Sequence, residues 1–116
     1  MIKTKTHRKY LFTPLRYPGG KTSLFNFFDI VIKEHGWQDV TYIEPYAGGA
    51  GAAVSLLLLE KVNYIVINDY DPAIYSFWLA IKEYNAEFIE RIVNTPITIE
   101  EWEQQKRVYK AADTSD

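Results

Sequence analysis

Tyr42-Ile43-Glu44-Pro45-Tyr46-Ala47-Gly48-Gly49-Ala50-Gly51, followed by Tyr64-Ile65-Val66-Ile67-Asn68-Asp69, is the stretch that decides the fold. A short apolar strand runs into glycines, a helix follows, and a second strand ends in a carboxylate. Glycines at a strand end permit positive φ and let the backbone approach a ligand closely. Gly48 and Asp69 are separated by about 20 residues, the spacing of a glycine loop and its ribose-binding acid on a parallel sheet. The pattern predicts an α/β fold with a nucleotide-type cofactor at the strand ends. A plain tight turn at the loop, and simple capping by the two acids Asp69 and Asp71, are the structural alternatives.

Outward from that stretch, the elements follow from periodicity and caps. Thr41 to Glu44 is the first strand. Ala50 to Glu60 is rich in Ala and Leu with no internal breaker, which predicts a helix apolar nearly all round and therefore buried. Asn63 to Asn68 is the second strand; its Tyr64-Ile65-Val66-Ile67 run does not alternate, as expected when both sheet faces are covered. Pro72 suits the first turn of a helix capped by Asp71, with Ile74, Trp78, Ile81 and Tyr75 on its inner face. Asn85 is placed to cap a short helix through Val93, which Thr95-Pro96 breaks. Thr98 and Glu101 form a capping-box pair for a last helix toward Ala112. Toward the N-terminus, Thr22 and Ser23 can cap a helix bearing Leu24, Phe27, Phe28, Val31 and Ile32, closed by His35-Gly36.

Composition narrows the class. With 116 residues, 47% of them apolar, the chain is one domain or part of one. The net charge of −2 does not suggest nucleic-acid binding through bulk charge alone. The first 21 residues nevertheless hold Lys3, Lys5, Arg8, Lys9, Arg16 and Lys21 and no acid. Such an arm can meet a phosphate backbone locally or simply be a solvated tail. The absence of cysteine removes disulfides and thiolate metal sites. No apolar run is long enough for a signal peptide or a membrane span, so a soluble, cytoplasmic protein is expected. The expected organisation is a basic tail over 1–10, a cofactor-binding part over 11–84 and a helical segment over 85–116. Two strands make a poor finished parallel sheet, and Trp102 and Tyr109 have little to bury themselves against. The chain thus reads as the front part of a larger domain.

Three motifs carry chemistry. In Glu44-Pro45-Tyr46-Ala47-Gly48-Gly49-Ala50-Gly51, an acid at the strand end disfavours an anionic pyrophosphate and suits a cation, such as a sulfonium cofactor with a methionine ammonium group. In Asn68-Asp69-Tyr70-Asp71-Pro72, Asp69 is placed to accept from two vicinal ribose hydroxyls, and Asp71 is better explained as a helix cap. In Arg16-Tyr17-Pro18-Gly19-Gly20-Lys21-Thr22-Ser23, the Gly-Lys-Thr ending suggests a phosphate loop. That loop needs a glycine five residues before Gly20, where the chain has Leu15, so the triphosphatase reading is rejected. Tyr17 can instead stack on a cofactor and Lys21 can hold a carboxylate.

In this order and spacing, the three motifs resemble the Dam-type adenine-specific DNA methyltransferases, over roughly Leu15 to Lys82. The resemblance implies a Rossmann-like S-adenosylmethionine-dependent methyltransferase fold with an incomplete parallel sheet. It implies cofactor contacts from Tyr17, Pro18, Gly19 and Lys21, from Glu44, Pro45, Tyr46, Gly48 and Gly49 around the methionine moiety, and from Asp69 on the ribose. It implies double-stranded DNA as the partner of the full-length protein, no membrane and no metal. The family's Asp-Pro-Pro-Tyr motif, which holds the adenine amine and stacks on the flipped base, has no counterpart, since the sequence contains no Pro-Pro pair. Asp71-Pro72 does not substitute, because it begins a helix two residues after the ribose acid. An N-terminal fragment without catalytic residues of its own is therefore expected. Two other readings remain open: a dinucleotide-dependent oxidoreductase domain, disfavoured by Glu44 and by the lack of Gly-x-Gly-x-x-Gly, and a non-catalytic binding protein that keeps the fold.

Overall fold

The structure, a computed structural model, describes residues 12–15 and 21–113. It divides into two compact units, the first running to Asn68 and the second from Asp69.

The first unit is built on β1 (Thr41–Glu44) and β2 (Tyr64–Ile67), which pair in parallel. The register sets Thr41 against Tyr64, Tyr42 against Ile65, Ile43 against Val66 and Glu44 against Ile67. The ladder continues past the strands, where Asn68 N–H donates to the Glu44 carbonyl (3.0 Å) and Ala47 N–H to the Asn68 carbonyl (2.8 Å). These bonds fasten the glycine loop to the end of β2. The helix α1 (Phe25–Glu34) is entered through a 3-10 turn (Thr22–Leu24), and α2 (Gly51–Leu58) links the strands.

The helix α2 is the core. Gly51, Ala52, Ala53, Ser55 and Leu56 are buried, and Leu56 is the largest fully buried side chain. Small residues in its first turn let the helix backbone lie close to its neighbours, and Ser55 Oγ returns its proton to the Gly51 carbonyl (2.6 Å) rather than leaving a buried hydroxyl unmet. The expected burial holds for the first two turns; Leu58 and Leu59 are exposed. The helix ends with Glu60 in the left-handed region (φ 57°), and Lys61 N–H closes back on the Leu56 carbonyl (2.9 Å).

Three sequence expectations are corrected. The sheet is not covered on both faces: Ile43, Tyr64 and Val66 share one exposed face, and β2 alternates exposed and half-buried. The helix α1 has Leu24 as its N-cap without a side-chain cap bond, because the chain enters through the 3-10 turn that Thr22 and Ser23 occupy. Asn85 does not cap α4; it is the first helical residue, and Tyr84 takes the N-cap place without a side-chain bond.

The second unit comprises α3 (Pro72–Glu83), α4 (Asn85–Asn94) and α5 (Ile99–Asp113). Asp71 caps α3 as expected, its Oδ1 accepting from Ala73 N–H (2.8 Å), with Pro72 at the first helical position. Ile74, Trp78 and Ile81 are half-buried, whereas Tyr75 is exposed. Phe77 of α3 meets Phe88 of α4 edge to face at 5.6 Å. Thr98 Oγ1 accepts from Glu101 N–H (3.1 Å), the forward half of the capping box. Trp102 and Tyr109 are exposed, with the Lys106 ammonium over the Trp102 ring (4.7 Å) and the Tyr109 hydroxyl near Asp71 Oδ2 (3.4 Å). Among the described residues, every fully buried side chain belongs to the first unit.

Leu56→Ala should therefore cost about 2–5 kcal/mol. Urea unfolding monitored by circular dichroism reads this as a lowered midpoint at unchanged slope.

Candidate functional site

The loop after β1 is shaped by two left-handed residues. Gly48 has φ 50°, a conformation glycine adopts without penalty, and Ala50 has φ 47° as the N-cap of α2. An alanine there is an uncommon choice. Ala50 N–H closes the turn on the Ala47 carbonyl (2.7 Å). The residues Ala47 to Ala50 are all buried, so backbone rather than side chain fills this corner.

Glu44 ends β1 with only 3% of its side chain exposed. Parallel register places it beside Ile67, and the Tyr42 hydroxyl lies near it on the same face of β1. Its charge is met by Lys21, whose Nζ lies 3.0 Å from Oε1. The same Nζ donates to the Tyr46 carbonyl (2.6 Å). Neither carboxylate oxygen has a hydrogen bond of good geometry. Lys21 thus compensates Glu44 charge to charge and leaves its lone pairs unfilled. Such a group is costly to bury, and removing one partner of a buried pair typically costs about 3–5 kcal/mol.

Tyr42 precedes Glu44 by two residues on the same face of β1. Burial, and then the Glu44 charge, push its hydroxyl up to about 12. Thr13 holds the loop from the other side: its hydroxyl donates to the Gly49 carbonyl and accepts from Leu15 N–H (3.3 Å). Sequence reading gave Thr13 no role, since a threonine in a short apolar-basic segment has no local signal; its partner lies 36 residues away.

The structure brings Lys21, Glu44, Tyr46, Gly48 and Gly49 together around one loop. Tyr46 meets Lys21 through its carbonyl while the residue is 75% exposed, and Pro45 is exposed beside it. Tyr17, Pro18 and Gly19 lie outside the described residues. Asp69 is the first residue of the second unit, two positions past the end of β2. It is half-buried, and its Oδ1 accepts from Asp71 N–H (3.0 Å), an Asx-type turn that orients the carboxylate.

The raised Tyr42 hydroxyl has a pH consequence. The unfolded chain releases that proton near 10 and the folded chain near 12, so the group's stabilisation is complete below pH 10 and lost as pH rises through about 12. Tyr42→Phe should flatten that part of the alkaline unfolding curve, measured by circular dichroism from pH 9 to 12.5, with a smaller change below pH 9.

A family model for D12 class N6 adenine-specific DNA methyltransferases matches residues 17–113. No curated protein and no solved structure gives a significant match. No described helix is long and apolar enough to cross a membrane. The match spans the glycine loop and every strand and α-helix of the described residues, and it replaces the oxidoreductase reading with a methyltransferase one. The chain belongs to the D12 class of N6 adenine-specific DNA methyltransferases.

Proposed function

We propose that this chain supplies the S-adenosylmethionine-holding part of an adenine-specific DNA methyltransferase. The single observation that carries the reading is the buried Glu44 carboxylate, whose oxygens have no aligned hydrogen bond, set at the mouth of a glycine loop. Such a carboxylate fits the ammonium of a methionine moiety. A pyrophosphate would meet repulsion at the same place. The cofactor supplies an electrophilic methyl group on sulfur.

The chain's own residues bind and orient. Glu44 accepts from the ammonium, and Lys21 faces the carboxylate of the same moiety. Gly48 and Gly49 let the backbone approach without a Cβ in the way. Thr13 fixes the Gly49 carbonyl, so the loop is shaped before a ligand arrives. In this reading Tyr17, Pro18 and Gly19 also contact the cofactor, as the family motif implies, with Tyr17 stacking on it. Pro45 and Tyr46 wall the loop. Asp69, oriented by the Asp71 N–H, accepts from the ribose hydroxyls. The fold is Rossmann-like, the cofactor's acceptor is the exocyclic amine of adenine in double-stranded DNA, and the setting is cytoplasmic.

The base-holding step belongs to a segment of Asp-Pro-Pro-Tyr type. The sequence has no Pro-Pro pair, so transfer requires that segment from elsewhere, and this chain by itself is inactive. The same absence favours one second reading, a non-catalytic protein that keeps the fold and binds cofactor or DNA. An in-frame Asp-Pro-Pro-Tyr in the encoding DNA beyond Asp116 separates the two.

Asp69→Ala should weaken S-adenosylmethionine binding at least about tenfold, as expected for losing one charge-assisted pair of hydrogen bonds. Isothermal titration reads this directly. Unchanged affinity removes Asp69 from the site.

A further inference from the structure

The ion pair between Lys21 and Glu44 raises a question of selectivity. Resting on the cofactor reading above, the geometry allows a specific answer. Glu44 is almost wholly buried and Lys21 about one-third exposed, with Nζ 3.0 Å from Oε1. Lys21 Nζ is also held by the Tyr46 carbonyl at 2.6 Å, so it is anchored at the loop independently of Glu44. The pair is electrically neutral, and the lone pairs of Glu44 lack aligned donors.

Three kinds of ligand end meet this pair differently. A bare ammonium brings a second cation to one carboxylate, and Lys21 then repels it. A bare carboxylate draws Lys21 away and leaves Glu44 buried and uncompensated, which is costly. A ligand carrying both groups avoids both penalties. Its ammonium takes over Glu44 and supplies the missing aligned hydrogen bonds, while its carboxylate receives the released Lys21. Two ion pairs replace one, and no buried charge is left alone.

We propose that the Lys21–Glu44 ion pair is a neutral placeholder that exchanges partners with the ligand and thereby selects a zwitterionic amino-acid end over an amine or an acid alone. Lys21 occupies the ammonium's place until the ligand arrives. The selectivity lies in the coupling between the two ligand groups rather than in either one. A pocket with an isolated acid and an isolated base would read the two groups additively.

Four adenosine thioethers measure the coupling: S-adenosylhomocysteine, its decarboxylated analogue, its deaminated analogue and 5′-methylthioadenosine, which lacks both groups. Dissociation constants for each, measured by isothermal titration on this chain, form a closed cycle. Having both groups should improve affinity at least about tenfold beyond the product of the separate gains. In Lys21→Met/Glu44→Gln, which removes both charges and retains similar volume, the excess should fall to about twofold or less. Binding of 5′-methylthioadenosine with an additive cycle in the wild-type chain overturns the exchange while leaving the cofactor site in place. An equal excess in wild type and double variant also overturns it, because other groups then read the zwitterion. Failure of all four compounds to bind overturns the cofactor reading and the exchange with it. Where the double variant does not fold, Lys21→Met alone serves in its place: the excess should again fall to about twofold or less, and an unchanged excess overturns the exchange.

Discussion

A buried carboxylate at the end of β1 is the constraint around which the first unit is arranged. Glu44 sits where a parallel strand delivers its last side chain beside Ile67, with little water to solvate it. Its compensation comes from Lys21, 23 residues earlier in the chain. Keeping Lys21 there fixes the start of the 3-10 turn, whose Leu24 N–H bonds the Lys21 carbonyl (2.9 Å). That turn leads into α1, so the residue that meets Glu44 also stands at the entry to a helix. The same lysine touches the Tyr46 carbonyl, and the loop carrying Tyr46 is tied to β2 through Asn68. A pair this costly to bury is a weak device for stability alone. In the proposed exchange, its place at a glycine loop lets a ligand enter by taking over its partners.

The glycine loop shows how backbone and side chain divide the work. Gly48 and Ala50 both adopt the left-handed region. Thr13 and Asn68 hold the loop from two sides by its carbonyls and N–H groups. The helix α2 then packs through glycine, alanines and one leucine, which brings its first turn close to the strands. Burial, loop shape and the fixed Glu44 are therefore one arrangement. A bulky residue in the first turn of α2 would displace the loop as well as the core.

Local elements were largely legible in the sequence. Both strands, the glycine loop, the Asp71–Pro72 helix start and the Thr98–Glu101 cap follow from short-range patterns whose physics is contained in a few residues. Two kinds of feature were not legible. The alternating exposure of β2 depends on what lies over the sheet, and an unbroken apolar run such as Tyr64 to Ile67 carries no record of which face is covered. The helix starts at Leu24 and Tyr84 lack side-chain caps although good capping residues stand nearby, because chain entry geometry overrode local preference. In the site, the acid and the lysine were each identifiable by type. Their pairing was not, since an ion pair across 23 residues leaves no spacing signal. Thr13 was invisible for the same reason.

If the Glu44 loop holds the methionine end of S-adenosylmethionine as proposed, the chain must bind that cofactor. Equilibrium dialysis of the chain against radiolabelled S-adenosylmethionine, with S-adenosylhomocysteine and NAD as competitors, tests it most directly. The expected result is one saturable site per chain, displaced by S-adenosylhomocysteine and untouched by NAD. No saturable binding, or displacement by NAD at a similar concentration, would contradict it.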